Sequence, residues 1–178
     1  QGHNMTSFVP EDVIPPAPFL KVEDALKSFQ LAPGFIIEEV ASEPLVDMPC
    51  ILKFDGDGQM WICELVGYMP DVNGKGENIA QGRIAILTDS DDDGRVDKRS
   101  IFLEKLLLPR SLYLLDDGIL WANQESLFFQ GRDGNKPVGK RVMVDKDYAR
   151  GGNVEHKANS LVLGLDNWIY NAKSDRRY

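Results

Sequence analysis

Short apolar runs recur along most of the chain, and turn residues separate nearly all of them. Runs of this length, bounded by Gly, Pro, Asn, Asp and Ser, are typical of β-strands. The candidate strands are 35–40, 50–54, 59–65, 83–88, 99–103, 111–115, 119–122, 126–130, 141–144, 159–163 and 168–172. One stretch, Lys21 to Phe29, has helical spacing of its apolar residues, and Pro33-Gly34 follows it. The pattern predicts an all-β protein with a single short helix near its start.

A repeat indicates which all-β architecture to expect. Three segments share Asp, then Gly or Asn, then two residues and an aromatic side chain: Asp57–Trp61, Asp117–Trp121 and Asp166–Tyr170. They begin 60 and 49 residues apart, and the first two are each followed by two more candidate strands. Four strands per roughly 50 residues is typical of a β-propeller blade. The pattern favours a propeller over a sandwich or barrel, with chance recurrence of common turn dipeptides as the alternative.

The number of strands suggests only part of a propeller, because closed propellers usually have about four to eight blades. The candidates make about two blades and the first hairpin of a third. We therefore expect an N-terminal propeller fragment over residues 34–178, preceded by a proline-rich arm and short helix over residues 1–33. The run 35–40 is expected to be the outer strand of a last blade.

Charge and composition narrow the possible partners. The formal net charge of −8 makes non-specific binding to a nucleic-acid backbone unexpected. No apolar stretch reaches the ~18 residues of a transmembrane segment, so none is expected in this chain. The sequence also lacks a Cys-x-x-Cys-His motif, which argues against a c-type haem bound by this chain.

An acidic segment after the strand at 83–88 has the spacing of calcium ligands. Its acids occupy relative positions 1, 3, 5 and 9 and are Asp89, Asp91, Asp93 and Asp97. Gly94 at position 6 permits a sharp turn, and Arg95 at position 7 would offer its backbone carbonyl, as in an EF-hand loop. Position 12 is Ser100 rather than Glu, and strands flank the loop. We expect a calcium site of a β-loop type, with a solvated acidic hairpin without metal as the alternative.

The two cysteines lie in the first predicted hairpin, on either side of the turn Asp55–Gly58. If Phe54 is opposite Gln59, then Cys50 is directly opposite Cys63. Opposed residues in an antiparallel pair are close enough for a disulfide. This predicts a cross-strand disulfide, with two buried free thiols as the alternative.

His156 is one of only two histidines and follows Glu155 directly. It comes just before the predicted innermost strand of the third blade, where loops approach the axial pocket of a propeller. A histidine there is a candidate general base, tuned by its acidic neighbour. The alternative is a histidine that only forms hydrogen bonds within its loop.

The segment from His156 to Tyr170 resembles the part of the soluble quinoprotein glucose and sorbosone dehydrogenases that carries their catalytic histidine. The shared residues are His156, Leu161, Val162, Gly164, Asp166, Ile169 and Tyr170. Ser160 stands where that family typically has arginine. Segments 41–44 and 54–61 resemble the start of the same propellers. Over about residues 15–178, the chain is most similar to a branch labelled membrane-bound dehydrogenases, frequent in planctomycetes.

The resemblance implies a periplasmic or secreted enzyme that oxidises a sugar or another alcohol. His156 would take the proton of the substrate hydroxyl, with Glu155 as orienting partner, while pyrroloquinoline quinone accepts hydride. A cytochrome c is the implied electron acceptor, and the quinone-binding residues would lie in later blades. Two other functions stay open: a non-catalytic propeller that binds glycans or partner proteins, and a calcium-dependent hydrolase such as a lactonase.

Overall fold

The computed structural model describes residues 19–71 and 73–178. The predicted N-terminal arm up to residue 18 lies outside the described residues. The described chain divides between Glu39 and Val40 into two units. The first contains helix α1 (Val22–Ser28), which confirms the predicted helix.

The second unit contains all the strands of the described chain. They are β1 (Pro49–Phe54), β2 (Met60–Glu64), β3 (Gly82–Thr88), β4 (Lys98–Leu106), β5 (Ser111–Leu114), β6 (Gly118–Ala122), β7 (Leu127–Asp133), β8 (Lys136–Asp145), β9 (Asn159–Leu163) and β10 (Ile169–Ala172). Each corresponds to a predicted strand. A 3-10 turn at Val154–His156 precedes β9.

The strands form two four-stranded antiparallel sheets and one two-stranded sheet. Strands β1 to β4 are neighbours in sequence order in the first sheet, and β5 to β8 in the second. Strands β9 and β10 form the third sheet. Each four-stranded sheet is therefore one meander, as in a propeller blade. The predicted β-propeller, with two blades and a hairpin of a third, is confirmed.

The first strands of the three sheets lie side by side. Strand β5 contacts both β1 and β9, yet each belongs to its own sheet. The Lys53 ammonium on β1 also donates a hydrogen bond to the Leu161 carbonyl on β9, at 3.3 Å. This confirms 50–54 and 111–115 as equivalent inner strands.

Apolar side chains fill the spaces between neighbouring sheets. The cluster between the first and second sheets consists of Trp61, Cys63, Ile84, Ile86, Phe102, Leu106, Leu112, Ile119 and Trp121. The cluster between the second and third sheets includes Leu120, Leu127, Tyr148, Leu161 and Ile169. Burial of these faces against one another is the main driving force for stacking the blades.

The prediction of a strand over 35–40 is wrong for the described chain. Phe35 and Ile36 are 72% and 79% exposed, and the segment belongs to no sheet. Val40 accepts a backbone hydrogen bond from the Val96 N–H at 2.8 Å, but no ladder continues from it. Apolar character alone does not make a strand, because a strand needs a neighbour to pair with its backbone.

The register of the first hairpin differs by one residue from the prediction. Phe54 is opposite Met60 rather than Gln59. The connecting loop is longer because the Asp55 carboxylate accepts the N–H groups of Asp57 and Gln59, at 3.1 and 2.9 Å. Side-chain acceptors of this kind stabilise local turns in place of ladder pairing.

This shift removes the direct opposition of the two cysteines. Ile51 is opposite Cys63, and an irregularity between Pro49 and Ile51 leaves Cys50 outside the register. Both cysteines are free thiols in the structure, and the Cys50 thiol donates to the Cys63 carbonyl at 3.3 Å. The disulfide stays a prediction, but the argument from direct opposition is wrong.

Candidate functional site

The predicted base His156 lies on the 3-10 turn that leads into inner strand β9. Asn153 begins the turn, and its side chain accepts the Glu155 N–H at 3.4 Å. The short turn has no backbone carbonyl available for this N–H group, so the asparagine side chain accepts it instead. The local sequence therefore holds both predicted catalytic residues at the entrance to β9.

Glu155 and His156 are close together but line different cavities. The nearest atoms, Nε2 of His156 and Oε2 of Glu155, are 4.0 Å apart, and the side chains are 65% and 46% exposed. His156 lines a cavity of about 230 Å³ together with residues 147–151 and 173–176. Glu155 instead lines two others, of about 290 and 220 Å³. An exposed ion pair at this distance contributes little orientation.

The cavity of about 290 Å³ lies where the inner strands begin, and we call it the axial cavity. It is lined by Cys50 and Ile51 of β1, Arg110 just before β5, and Asn159 and Ser160 of β9, with Leu65, Tyr68, Val154 and Glu155 from loops. All three sheets therefore contribute to it. In propellers, such convergence of loops and inner strands creates ligand sites.

Arg110 is the most unusual residue of the axial cavity. It is only 8% exposed, and its Nη1 donates to the Val154 carbonyl at 2.5 Å. Its Nε and Nη2 are buried and have no hydrogen-bond partner in the part of the chain that the structure describes. Burial lowers the pKa of Arg110 below its usual value. Sequence reasoning missed this residue, although its place directly before a predicted inner strand was a usable signal.

Two other polar groups of the cavity are perturbed. Burial raises the pKa of Tyr68, and a hydrogen bond with Glu155 adds to the effect. A hydrogen bond with the side chain of Cys63 lowers the pKa of Cys50, and the positive charge of Arg110 acts in the same direction. The cavity thus contains a cation, a carboxylate, a phenol and a thiol.

The acidic loop connects β3 to β4 and brings together three of its four predicted acids. Carboxylate oxygens of Asp89, Asp91 and Asp93 lie within 4.8 Å of one another. Asp97 instead accepts both the N–H and the hydroxyl of Ser90, at 3.0 and 2.5 Å. The negative charge of Asp93 raises the pKa of Asp91. Three converging oxygens suit a hard cation such as calcium.

The Asp89 carboxylate is positioned by the loop backbone. It accepts the N–H groups of Asp93 and Gly94, at 3.3 and 2.8 Å. Arg95 donates its own N–H to Asp93 at 2.8 Å. The sharp turn that makes this possible needs Gly94, whose φ is +89°. The glycine predicted from the EF-hand spacing therefore shapes the loop.

Residues 21–177 match a family model described as a domain of unknown function, DUF7133. The chain belongs to the DUF7133 family. No curated protein matches the sequence. A solved structure described as a "putative gluconolactonase" is similar, with 14% identity and a TM-score of 0.49. The match covers 79% of this chain and 46% of that protein, so the chain spans about half of its length.

The helices of the described chain were compared with the length of a membrane-spanning segment, because the sequence predicts no such segment. Within residues 19–71 and 73–178, no helix has the length and apolar character needed to cross a membrane. The longest helix described there, α1, has seven residues.

Proposed function

We propose that this DUF7133 chain is part of a propeller enzyme that oxidises a sugar or another alcohol, with His156 as the general base. The observation that carries the proposal is the placement of His156. It lies at the entrance to an inner strand, and its imidazole is accessible, with 65% of the side chain exposed. A base must reach the proton that it takes, and this side chain is free to do so.

His156 and Glu155 would have different roles in the oxidation. The neutral imidazole of His156 would accept the hydroxyl proton, and the Glu155 carboxylate, 4.0 Å away, would stabilise the imidazolium that forms. Pyrroloquinoline quinone, when bound, supplies the hydride acceptor.

The test reconstitutes the protein with the quinone and follows dye reduction over a panel of sugars and alcohols. We expect His156→Ala to lower turnover by ~10²–10⁴-fold, because a positioned general base has an effect of that size. His156→Gln should lower it almost as much, since an amide cannot take the proton. The control is His3→Ala, at the other histidine of the sequence. Undiminished reduction by His156→Ala would remove the base role.

A non-catalytic binding propeller is the second candidate. The observation in its favour is that Glu155 lines the axial cavity whereas His156 lines a different one. That cavity could then bind a glycan or a segment of a partner protein without chemistry at the histidine. Absence of both quinone binding and dye reduction in the wild-type protein would favour this function.

The remaining expectations form part of the same proposal. Asp89, Asp91 and Asp93 would hold a calcium ion that stabilises the loop, with Asp97 and the Arg95 carbonyl as further ligands. The enzyme would be periplasmic or secreted, with a cytochrome c as electron acceptor. Oxidising conditions there would permit a disulfide between Cys50 and Cys63.

A further inference from the structure

Lys157 follows the proposed base directly in sequence and is a buried cation. The residue is only 6% exposed. Its backbone carbonyl accepts the Asn159 side-chain amide at 3.0 Å, but its ammonium has no hydrogen bond or ion pair among the described residues. A buried charge without a partner costs free energy, because its hydration is lost and nothing replaces it. A ligand that supplies an acceptor would remove this cost.

The ammonium of Lys157 keeps contact with solvent. Within the described chain, the side-chain nitrogens that are both sealed and unpartnered belong to Arg99, Arg110 and Trp121, so the Lys157 ammonium is not sealed. Lys157 lines the cavity of about 230 Å³ that His156 also lines, and we call it the His156 cavity. Lysine commonly buries its aliphatic stem and leaves the ammonium at the accessible end. A small ligand in the His156 cavity can therefore reach this ammonium.

The two arginines that line the His156 cavity already have partners. Arg150 Nη1 is 3.2 Å from Asp147 Oδ1, which also belongs to the lining. Arg176 pairs with Asp145 at the end of β8. These charges cancel in two pairs, so the net charge of the cavity depends on its other residues.

Two ammonium groups and one carboxylate remain in the lining. Lys157 and Lys173 have no ion pair within the described chain, and exposed Asp175 is the remaining acid. The unpaired charges therefore leave a positive excess. An ammonium is a compact point charge, which suits a carboxylate or a phosphate without requiring two parallel donors. His156 and Ser174 add an imidazole and a hydroxyl, which can form hydrogen bonds with hydroxyl groups of the same ligand.

We propose that the His156 cavity binds a small sugar-like anion, whose carboxylate or phosphate pairs with the ammonium of Lys157 and whose hydroxyl groups lie next to His156. A cavity of about 230 Å³ suits a single small molecule of this kind. The anion site concerns binding alone. The further step, that this anion is the substrate, rests on the proposed oxidation with His156 as base.

The experiment measures binding by calorimetry without an electron acceptor. It compares three sugars that differ at one carbon: galactose, galacturonate and galactose 6-phosphate. We expect at least one of the two anions to bind about 10- to 100-fold more tightly than galactose, because a hydrogen bond between charged groups contributes about that much. The anion that binds more tightly identifies the charged group as a carboxylate or a phosphate.

Lys157→Met should bind both anions no more tightly than galactose. Methionine keeps a long apolar stem and removes the unpaired charge, so without ligand the variant should melt no lower than the wild type. The tighter-binding anion should raise the melting temperature of the wild type but not that of Lys157→Met. The matched control is Lys140→Met, because Lys140 is exposed on β8 and does not line the His156 cavity. This control should bind all three sugars like the wild type.

Three results would overturn the proposal. They are equal binding of galactose and both anions by the wild type, an unchanged preference for the anions in Lys157→Met, and a clearly lower melting temperature of Lys157→Met without ligand. The last result would show that the ammonium has a partner within the folded chain. The comparison of charged and neutral sugars on the wild-type protein does not depend on any variant.

Dye reduction separates the anion site from the proposed oxidation. Tight binding of an anion without any dye reduction would support the site and remove the oxidation. Reduction with neutral sugars, without any preference for the anions in binding, would support the oxidation and remove the site.

Discussion

At the scale of single residues, the buried carboxylate of Glu64 in the first sheet uses both of its oxygens in hydrogen bonds. Glu64 is fully buried, and its Oε2 accepts from Arg83 Nε at 2.7 Å and from Arg99 Nη2 at 2.6 Å. Its Oε1 accepts the Asp47 N–H at 2.8 Å. This network joins β2, β3 and β4 to the segment before β1. Arg99 Nε and two nitrogens of Arg110 are buried and have no hydrogen-bond partner among the described residues.

The Glu64 network predicts a large loss of stability when its acid is removed. Glu64→Ala removes the acceptor of Arg83 Nε, of Arg99 Nη2 and of the Asp47 N–H, and breaking such buried pairs costs about 3–5 kcal/mol. Because Arg83 and Arg99 are 28% and 18% exposed, we expect about 3 kcal/mol, measured by urea unfolding. The control Glu104→Ala, at an exposed acid, should cost less than about 1 kcal/mol. Equal losses would contradict the prediction.

The hydrogen bonds of Asp145, at the end of β8, predict that the folded protein loses stability at low pH. Burial alone would raise the pKa of Asp145, but hydrogen bonds from Arg176 and Tyr178 lower it overall. The ionised form is therefore favoured by folding, and its contribution is present above the unfolded pKa of about 4. It is lost as the pH falls through the lower folded pKa.

Asp145→Asn should therefore cost about 1–2 kcal/mol at pH 7, because it weakens two hydrogen bonds to a charged group. The difference from the wild type should shrink as the pH falls below about 4. Urea unfolding between pH 7 and pH 2 measures it, with Asp175→Asn at an exposed aspartate as control. A difference that stays constant over this range would show that the charge of Asp145 is not responsible.

At the scale of elements, the three copies of the Asp-Gly/Asn repeat have glycine or asparagine for different physical reasons. Gly58, in the first hairpin, has a φ of +78°, so the turn itself requires glycine. Gly118 has no positive φ, but a Cβ there would lie 2.5 Å from the Gln130 carbonyl of β7. Asn167 takes a φ of +64° in the third copy. The repeat thus marks equivalent positions without implying equivalent turns.

The β3–β4 loop predicts a calcium-dependent melting temperature. The carboxylates of Asp89, Asp91 and Asp93 repel one another without a cation, and a bound ion that prefers the folded loop stabilises it by mass action. We expect calcium to raise the melting temperature of chelator-treated protein. Asp91→Asn should weaken the affinity roughly tenfold or more, since calcium affinity follows the charge of its ligands.

The control for the loop is Asp57→Asn, at an exposed aspartate of another hairpin, which should bind calcium like the wild type. Titration calorimetry without calcium heat, together with an unchanged melting temperature, would show that the acidic loop is only a solvated hairpin.

At the scale of the whole molecule, stability depends on the packing of one sheet against the next. Leu112 lies on inner strand β5 and is fully buried in the cluster shared by the first two sheets. Trp61 and Phe102, from the first sheet, meet in the same cluster at 4.9 Å between ring centroids. Neither sheet could bury this face alone, so the two should unfold together.

Leu112→Ala should lower the free energy of unfolding by about 2–5 kcal/mol, because it opens a cavity between two sheets. Unfolding followed by tryptophan fluorescence should remain a single transition. Leu163→Ala, at a leucine that is 50% exposed on β9, should change stability by less than about 0.5 kcal/mol. Two separated transitions in the wild-type protein would contradict the shared core.

The sequence by itself determined the ten strands of the three sheets and which strand begins each blade, although it also predicted a strand over 35–40 that is not formed. The runs 83–88 and 159–163 match β3 and β9 closely, because alternation and turn residues act locally. The spacing of the Asp-Gly/Asn repeat was enough to identify β1 and β5 as equivalent. The acids at 89, 91 and 93 converge for the same reason, since neighbours in one tight loop need no distant partner.

Tertiary structure decided the register of the first hairpin and which residues line the axial cavity. The register of Cys50 and Cys63 depended on hydrogen bonds inside the Asp55 turn, where one extra residue shifts every opposed pair. The run 35–40 is apolar, but no described strand pairs with its backbone. Arg110 joined Glu155 in one cavity, while His156 faced another, because these directions follow from how three sheets stack. Stacking depends on contacts between residues far apart in sequence, which no local pattern contains.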